Sequence, residues 1–236
     1  MAELEFGLSM AFQPIVDVNA GAVFAHEALV RGEGGESAGS VFAHVNEDNL
    51  YQFDQACRVR AIEFAARLEM PTRLSINFMP NAVYRPEACI QTTLKAAAEF
   101  GFPVERIIFE VTEAEKVTDQ GHLRDIVLHY QQCGFLTAID DFGAGYSGLN
   151  LLADFVPDYV KLDMALVRDI DRNPTRQAIV RGLMTMLEEL EVGVIAEGVE
   201  SREEFACLSD LGISLFQGYL FARPGFETLP AVDLNS

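Results

Sequence analysis

Cysteine is scarce and never paired along the chain. Cys57, Cys89, Cys133 and Cys207 stand far apart with no C-x-x-C among them. This argues against thiolate metal ligands and disulfide bridges, and predicts reduced, mostly buried thiols. Basic residues are also few: 17 Lys and Arg face 36 Asp and Glu, a net charge of −19. A protein that neutralises a polyphosphate backbone is expected to be basic, so long nucleic acids are poor partners. A small phosphate ester fits only if cations offset the charge. No apolar run approaches the roughly 20 residues of a membrane helix, and "MAELEFGLSM" lacks the basic end and long apolar centre of a signal peptide. The expectation is a soluble, cytoplasmic protein with no membrane partner. With no Pro/Gly/Ser linker or low-complexity run, one domain is expected over residues 1–236.

Half of the 236 residues are apolar, enough for one sizeable core. Short β-branched runs recur at 10–16, 22–30, 73–78, 106–111, 135–140, 158–162, 192–197 and 213–217, and helical patterns fill most of the gaps. Phe53, Cys57, Ala61, Phe64 and Leu68 repeat at helical spacing. Asn173-Pro174 reads as an N-cap with proline at the first helical position, and Ser201 with Glu204 as a capping box. Gly101, Gly134 and Gly212 fall where helices end. Eight strand–helix repeats predict an α/β fold, a TIM-type (β/α)8 barrel, with an open doubly wound sheet as the alternative. Only "DVNAG" (17–21) joins the first two strands. A parallel crossover needs a dozen or more residues, so the first strand should be antiparallel to the second.

The polar residues fall late in the strands: Glu27 and Arg31, Asn77, Glu110, Asp140, Lys161 with Asp163, Glu197, and Gln217. Residues two apart share a strand face, so Glu27, Leu29 and Arg31 should point one way, as should Lys161 and Asp163. Six of these strands are expected to be parallel, which gathers their ends at the mouth where barrel enzymes keep their chemistry. One carboxylate at a strand end is ordinarily a helix cap or a surface charge. Seven strands ending alike would cost several kcal/mol to bury unless a ligand satisfied them. The set is rich in oxygen, and His26, His44, His122 and His129 make no ligand spacing such as H-E-x-x-H. His26 lies on the strand face opposite Glu27 and reads as a packing residue. Oxygen donors without thiolates suit Mg²⁺ or Mn²⁺ before Zn²⁺.

Gly143, Gly145 and Gly148 also spell G-x-G-x-x-G after an apolar run, the outline of a dinucleotide-binding turn in an oxidoreductase. Two features oppose it. Asp140 and Asp141 stand where a pyrophosphate would be repelled, and Pro157 cuts short the helix that should follow. Adjacent strand residues face opposite ways, so Asp140 and Asp141 can serve one site only if the strand ends between them. Asp140 could then bridge two ions about 3.5–4 Å apart, with Asp141 on the second.

"EALVR" (27–31), "INF" (76–78), "FEVTE" (109–113), "DDFGAGYSGL" (140–149), "VKLD" (160–163), "AEGVE" (196–200) and "FQGYLFARP" (216–224) resemble, in order, the motif series of EAL-domain cyclic di-GMP phosphodiesterases. The resemblance runs from "FQPI" at 12–15 to Pro224 and implies a modified (β/α)8 barrel with an antiparallel first strand. It implies hydrolysis of the bacterial second messenger cyclic di-GMP to linear pGpG with two ions, Mg²⁺ or Mn²⁺, per site. By position, Glu27, Asn77, Glu110 and Asp140 would hold the first ion, and Asp140, Asp141 and Glu197 the second. Lys161 would orient the attacking water and Glu113 would anchor the glycine loop. Glu200 and Gln217 match positions that matter for activity. Gln13, Leu29, Arg31 and Asp163 would contact substrate. "RGEGGESAGS" (31–40) departs from the commoner form, which has an aromatic after the arginine, and implies a variant loop beside the substrate. The resemblance allows a homodimer through the glycine-loop region, and a sensory or regulatory domain or protein outside the chain. Its alternative is a silent receptor that binds cyclic di-GMP for a partner.

Overall fold

The computed structural model describes residues 4, 6–112, 120–145 and 148–232. Eight strands close into a barrel. They are β1 (Ser9–Asp17), β2 (Ala22–Arg31), β3 (Arg73–Asn77), β4 (Ile107–Thr112), β5 (Leu136–Phe142), β6 (Tyr159–Leu162), β7 (Gly193–Ala196) and β8 (Leu215–Gln217). Each strand from β2 to β8 runs parallel to its neighbour, making seven parallel strands where the sequence suggested six. β1 closes the ring, antiparallel to both β2 and β8. This is the modified TIM barrel expected from the short β1–β2 connection. A ninth strand, β9 (Gly225–Phe226), was not expected; it pairs with Ala11 and Phe12 outside the ring. Its place follows from strand length. β8 pairs only with residues 15–17 of the nine-residue β1, so the upper edge of β1 is left for β9.

Helices cover the outside of the barrel. α1 (Ala38–Phe42) lies in the variant loop after β2, and α2 (Leu50–Arg67) follows it. α3 (Pro86–Phe100) and α4 (Gln120–Gln132) flank β4, and α5 (Gly148–Asp154) follows β5 and ends before Pro157. α6 (Met164–Val167) and α7 (Pro174–Glu189) follow β6, and α8 (Arg202–Asp210) follows β7. Local signals place their ends. The Asn173 side chain caps α7, Ser201 and Glu204 form the capping box of α8, and Gly101 ends α3 in the left-handed region at φ 70°. The α2 stripe packs Phe53, Ala61 and Phe64 into the core. None of the described helices is long and apolar enough to cross a membrane. The thiols are free, but only Cys89 is fully buried; Cys57, Cys133 and Cys207 are half-buried.

His26 packs behind β2, 3% exposed, with Nδ1 2.8 Å from the Thr72 hydroxyl. Burial lowers its pKa from 6.5 to about 4. A depressed histidine stabilises the fold fully above pH 6.5, and the contribution is lost as pH falls toward 4. The shift is worth about 3 kcal/mol. Urea unfolding of His26→Gln should therefore lose less stability than the natural chain between these pH values; identical pH slopes would count against this assignment.

Candidate metal centre

The centre is built around one lysine. Lys161, on β6, is completely buried. Its Nζ lies 3.3 Å from Glu27 on β2, 2.8 Å from Glu110 on β4, 3.1 Å from Asp140 on β5 and 2.7 Å from Glu197 just after β7. Closing the sheet brings these five residues together, because each points inward near a C-terminal strand end. Amides and one hydroxyl hold the carboxylates in place. Asn77 donates to Glu27 at 2.7 Å, Gln217 donates to the other Glu27 oxygen at 2.7 Å, and Ser75 donates to Glu110 at 2.5 Å. Gln217 also reaches Gln13 at 3.3 Å. Ser75 escaped notice in the sequence, although it sits two residues before Asn77 on the same strand face.

Asp140 and Asp141 meet the site by a route different from the one expected. The strand does not end between them: β5 continues to Phe142. Instead its pairing with β6 shifts register between Ile139 and Phe142, and Asp141 takes the left-handed conformation at φ 54°. A bulge re-aims a side chain without ending the strand. Two oxygen clusters result. One oxygen each from Glu27, Glu110 and Asp140 lie within 4.8 Å of one another, and so do oxygens from Asp140, Asp141 and Glu197. Asp140 belongs to both. Its buried Oδ1 accepts no hydrogen bond from the described residues, although the Lys161 ammonium is nearby. An all-oxygen donor set, with a buried Asp140 oxygen met only by the Lys161 charge, fits hard divalent cations.

The local electrostatics point the same way. Burial pushes Glu110 up to about 8; Lys161 opposes this, while Glu27 and Asp140 add to it. Burial likewise raises Asp141 to about 6, helped by Asp140 and Asp163. Glu197 is raised well above the carboxylate range by burial, against the pull of Lys161. For Lys161, burial opposes the charge, but the four carboxylates outweigh it and raise its pKa well above the usual lysine value. One ammonium is too little positive charge for five carboxyl groups. Added cations would remove that imbalance.

A cavity of about 310 Å³ opens over the clusters, lined among others by Gln13, Glu27, Asp141, Asp163, Glu197 and Gln217. Glu200 stands at its rim, where an Arg168 hydrogen bond of 2.8 Å lowers its pKa. Asp163 lines the same cavity and caps α6 through the Ala165 N–H. Tyr219 and Met164, which the sequence reading passed over, complete the wall. Gly218 is required here, since a Cβ would strike the Val199 backbone that carries the Glu197–Glu200 turn. Leu29 and Arg31 line a second, largely apolar cavity of about 330 Å³ that also reaches Asn77. They are therefore not in the wall shared by Glu27 and Glu197. β2 pairs with β3 only as far as Ala28, and beyond that its end is paired with β1 alone. Glu113 lies outside the described residues.

The model of the EAL domain matches residues 4–224. The antirepressor BluF of Escherichia coli is 30% identical over 94% of this chain and 55% of its own length. The cyclic di-GMP phosphodiesterase RocR of Pseudomonas aeruginosa is 31% identical over 90% of this chain and 56% of its own. The chain thus spans about half the length of these curated relatives. A standalone EAL protein from Vibrio cholerae O395, solved with c-di-GMP bound, is 55% identical at a TM-score of 0.96, covering 99% of this chain and 98% of that one. Klebsiella pneumoniae BlrP1, solved with manganese and cyclic di-GMP, is 36% identical at 0.91, covering 98% of this chain and 59% of that one. A match over nearly the whole barrel, joined to acidic strand ends in the expected order, leaves one assignment: this chain belongs to the EAL domain family.

Proposed function

We propose that this chain is a metal-dependent phosphodiesterase that hydrolyses cyclic di-GMP to linear pGpG, and that residues 1–236 act as one catalytic unit. The observation that carries the reading is the sharing of Asp140 between two carboxylate clusters. In this reading Glu27, Asn77, Glu110 and Asp140 hold one cation, and Asp140, Asp141 and Glu197 the other. Mg²⁺ or Mn²⁺ held there supplies positive charge to the diester and acidifies a water molecule. Water adds to one phosphorus, the opposite P–O ester bond breaks, and the released ribose hydroxyl takes up a proton. Lys161 orients the water, while Gln217 and Asn77 keep Glu27 turned toward the site. Gln13 and Asp163 contact the substrate from the cavity wall, and Leu29 and Arg31 from the neighbouring cavity, with Arg31 meeting a phosphate. Glu200, fixed by Arg168, shapes the rim, and Glu113 anchors the glycine loop.

RocR's activity and the cyclic di-GMP held by the V. cholerae and K. pneumoniae proteins support the substrate. Association of two copies near the glycine loop belongs to the same reading. Incubation with cyclic di-GMP and Mg²⁺ or Mn²⁺ should yield pGpG, and chelator should abolish the yield. BluF is an antirepressor, which favours a second reading in which this chain is a regulator acting through a partner, a silent receptor of cyclic di-GMP. Measurable binding with no pGpG after long incubation with either metal would establish that reading instead.

A further inference from the structure

The wall behind Asn77 and Glu110 holds a charge pair that the chemistry at the mouth does not use. Arg58, on α2, is fully buried, and so is Asp54 one helical turn before it. The Arg58 guanidinium lies 5.5, 5.1 and 5.6 Å from the ring centroids of Phe78, Phe109 and Tyr130. Its Nη1 donates to the Tyr130 hydroxyl at 2.8 Å, and its Nη2 is 2.7 Å from Asp54 Oδ2. Asp54 uses its other oxygen to accept the main-chain N–H of Met79 at 3.0 Å. Burying two charges costs free energy that their attraction rarely exceeds when compared with apolar residues of the same shape. The pair is thus weak evidence of stabilisation, and its position suggests a different role.

Phe78 follows Asn77 on the chain, and Phe109 precedes Glu110. Neighbouring strand residues face opposite ways, so the two rings point out at α2 and α4 while Asn77 and Glu110 point into the barrel. Asn77 and Glu110 are paired across β3 and β4, and the Phe78 N–H donates to the Glu110 carbonyl at 3.0 Å. One guanidinium therefore grips the outer side of both ligand-bearing strand ends, and Asp54 grips the backbone just beyond the first. The 330 Å³ cavity lies on this side, lined by Asn77, Phe78 and Met79 as well as Asp54. The end of β3 borders this opening, and the Asp54 bond to the Met79 N–H restrains it there.

We propose that Asp54 and Arg58 are positioning residues that brace the ends of β3 and β4 from outside the barrel and so set the placement of Asn77 and Glu110 in the first oxygen cluster. This rests on reading that cluster as a cation site. The test is Mn²⁺ binding to metal-free protein, followed by calorimetry without substrate, beside thermal melting and steady-state kinetics. Asp54→Leu/Arg58→Met removes both charges at similar volume. It should melt near the natural chain, yet bind Mn²⁺ about tenfold or more weakly and lose kcat with KM little changed. Arg58→Lys alone should recover only part of the affinity, because it lacks the planar fork. Tyr130→Phe, which leaves the buried Arg58 Nη1 without its acceptor, should lower melting by only a few degrees and weaken Mn²⁺ binding two- to threefold. Natural Mn²⁺ affinity and kcat in a folded double variant would overturn the brace while leaving the site reading intact. Should the double variant not fold, Tyr130→Phe decides, and natural affinity there overturns the brace. A natural chain that binds no Mn²⁺ overturns both.

Discussion

Asp140→Asn is expected to abolish both cation sites at once and to lower kcat for cyclic di-GMP by about a thousandfold or more. Asp140 is the residue common to both oxygen clusters. Asparagine keeps its size but removes the charge and one anionic donor, so neither cluster retains its ligand set. Metal charge stabilisation of a transferring phosphorus is worth several kcal/mol, and about 4 kcal/mol is a factor of about a thousand. Asp141→Asn is the contrast, because Asp141 belongs to one cluster only. Mn²⁺ titration should count no tight ions in Asp140→Asn and one in Asp141→Asn, while pGpG formation falls in both. Two tight ions in Asp140→Asn would break the shared-ligand account. Folding should survive, since Lys161 keeps Glu27, Glu110 and Glu197 as partners.

The second large effect is expected from Lys161→Met, and it divides into two parts. Loss of a group that handles water in the transition state should cost about 10²- to 10⁴-fold in kcat whether or not metal is saturating. The stability effect should instead depend on metal. Without cations, Lys161 is the charge that four buried carboxylates face, and removing one partner from such a cluster costs about 3–5 kcal/mol. Metal-free Lys161→Met should melt well below the natural chain at pH 8, and saturating Mn²⁺ should close most of the gap. The pH dependence follows from Glu110, raised from 4.5 to about 8. A buried acid with a raised pKa binds its proton more tightly when folded, so its contribution declines as pH rises from 4.5 toward 8. Removing Lys161 raises it further, and the deficit should be smallest near pH 5. Melting curves at pH 5 and pH 8, with and without Mn²⁺, check both parts. A deficit equal at all four conditions would mean that Lys161 is a packing residue.

The legible parts of this fold and site are those set by short-range rules. Alternation along strands placed Glu27, Asn77, Glu110, Lys161 and Gln217 at the barrel end, and a five-residue connection was enough to make β1 antiparallel. Capping chemistry at Asn173 and Ser201 was equally local. Less was legible where the answer depends on closure. Lys161 reaches Glu27 across 134 residues of sequence, and no local pattern specifies four simultaneous partners. The turn at Asp141 was anticipated as a strand end, but a bulge achieves the same re-aiming at a lower loss of pairing. β9 was invisible because two residues carry no periodicity. Arg58 was missed because a charge beside the helical stripe of Phe53, Cys57 and Ala61 reads as solvated, whereas three aromatic rings, one just after β3, one in β4 and one in α4, enclose it.

The claim on which the rest depends is that carboxylates from β2, β4, β5 and the end of β7 converge to hold two divalent ions against a cyclic diester. Its most direct test is an anomalous difference map from crystals grown with Mn²⁺ and cyclic di-GMP. The account predicts two peaks bridged by Asp140, one beside Glu27 and Glu110 and the other beside Asp141 and Glu197. A map with the ligand bound and no peak at Asp140 would contradict it.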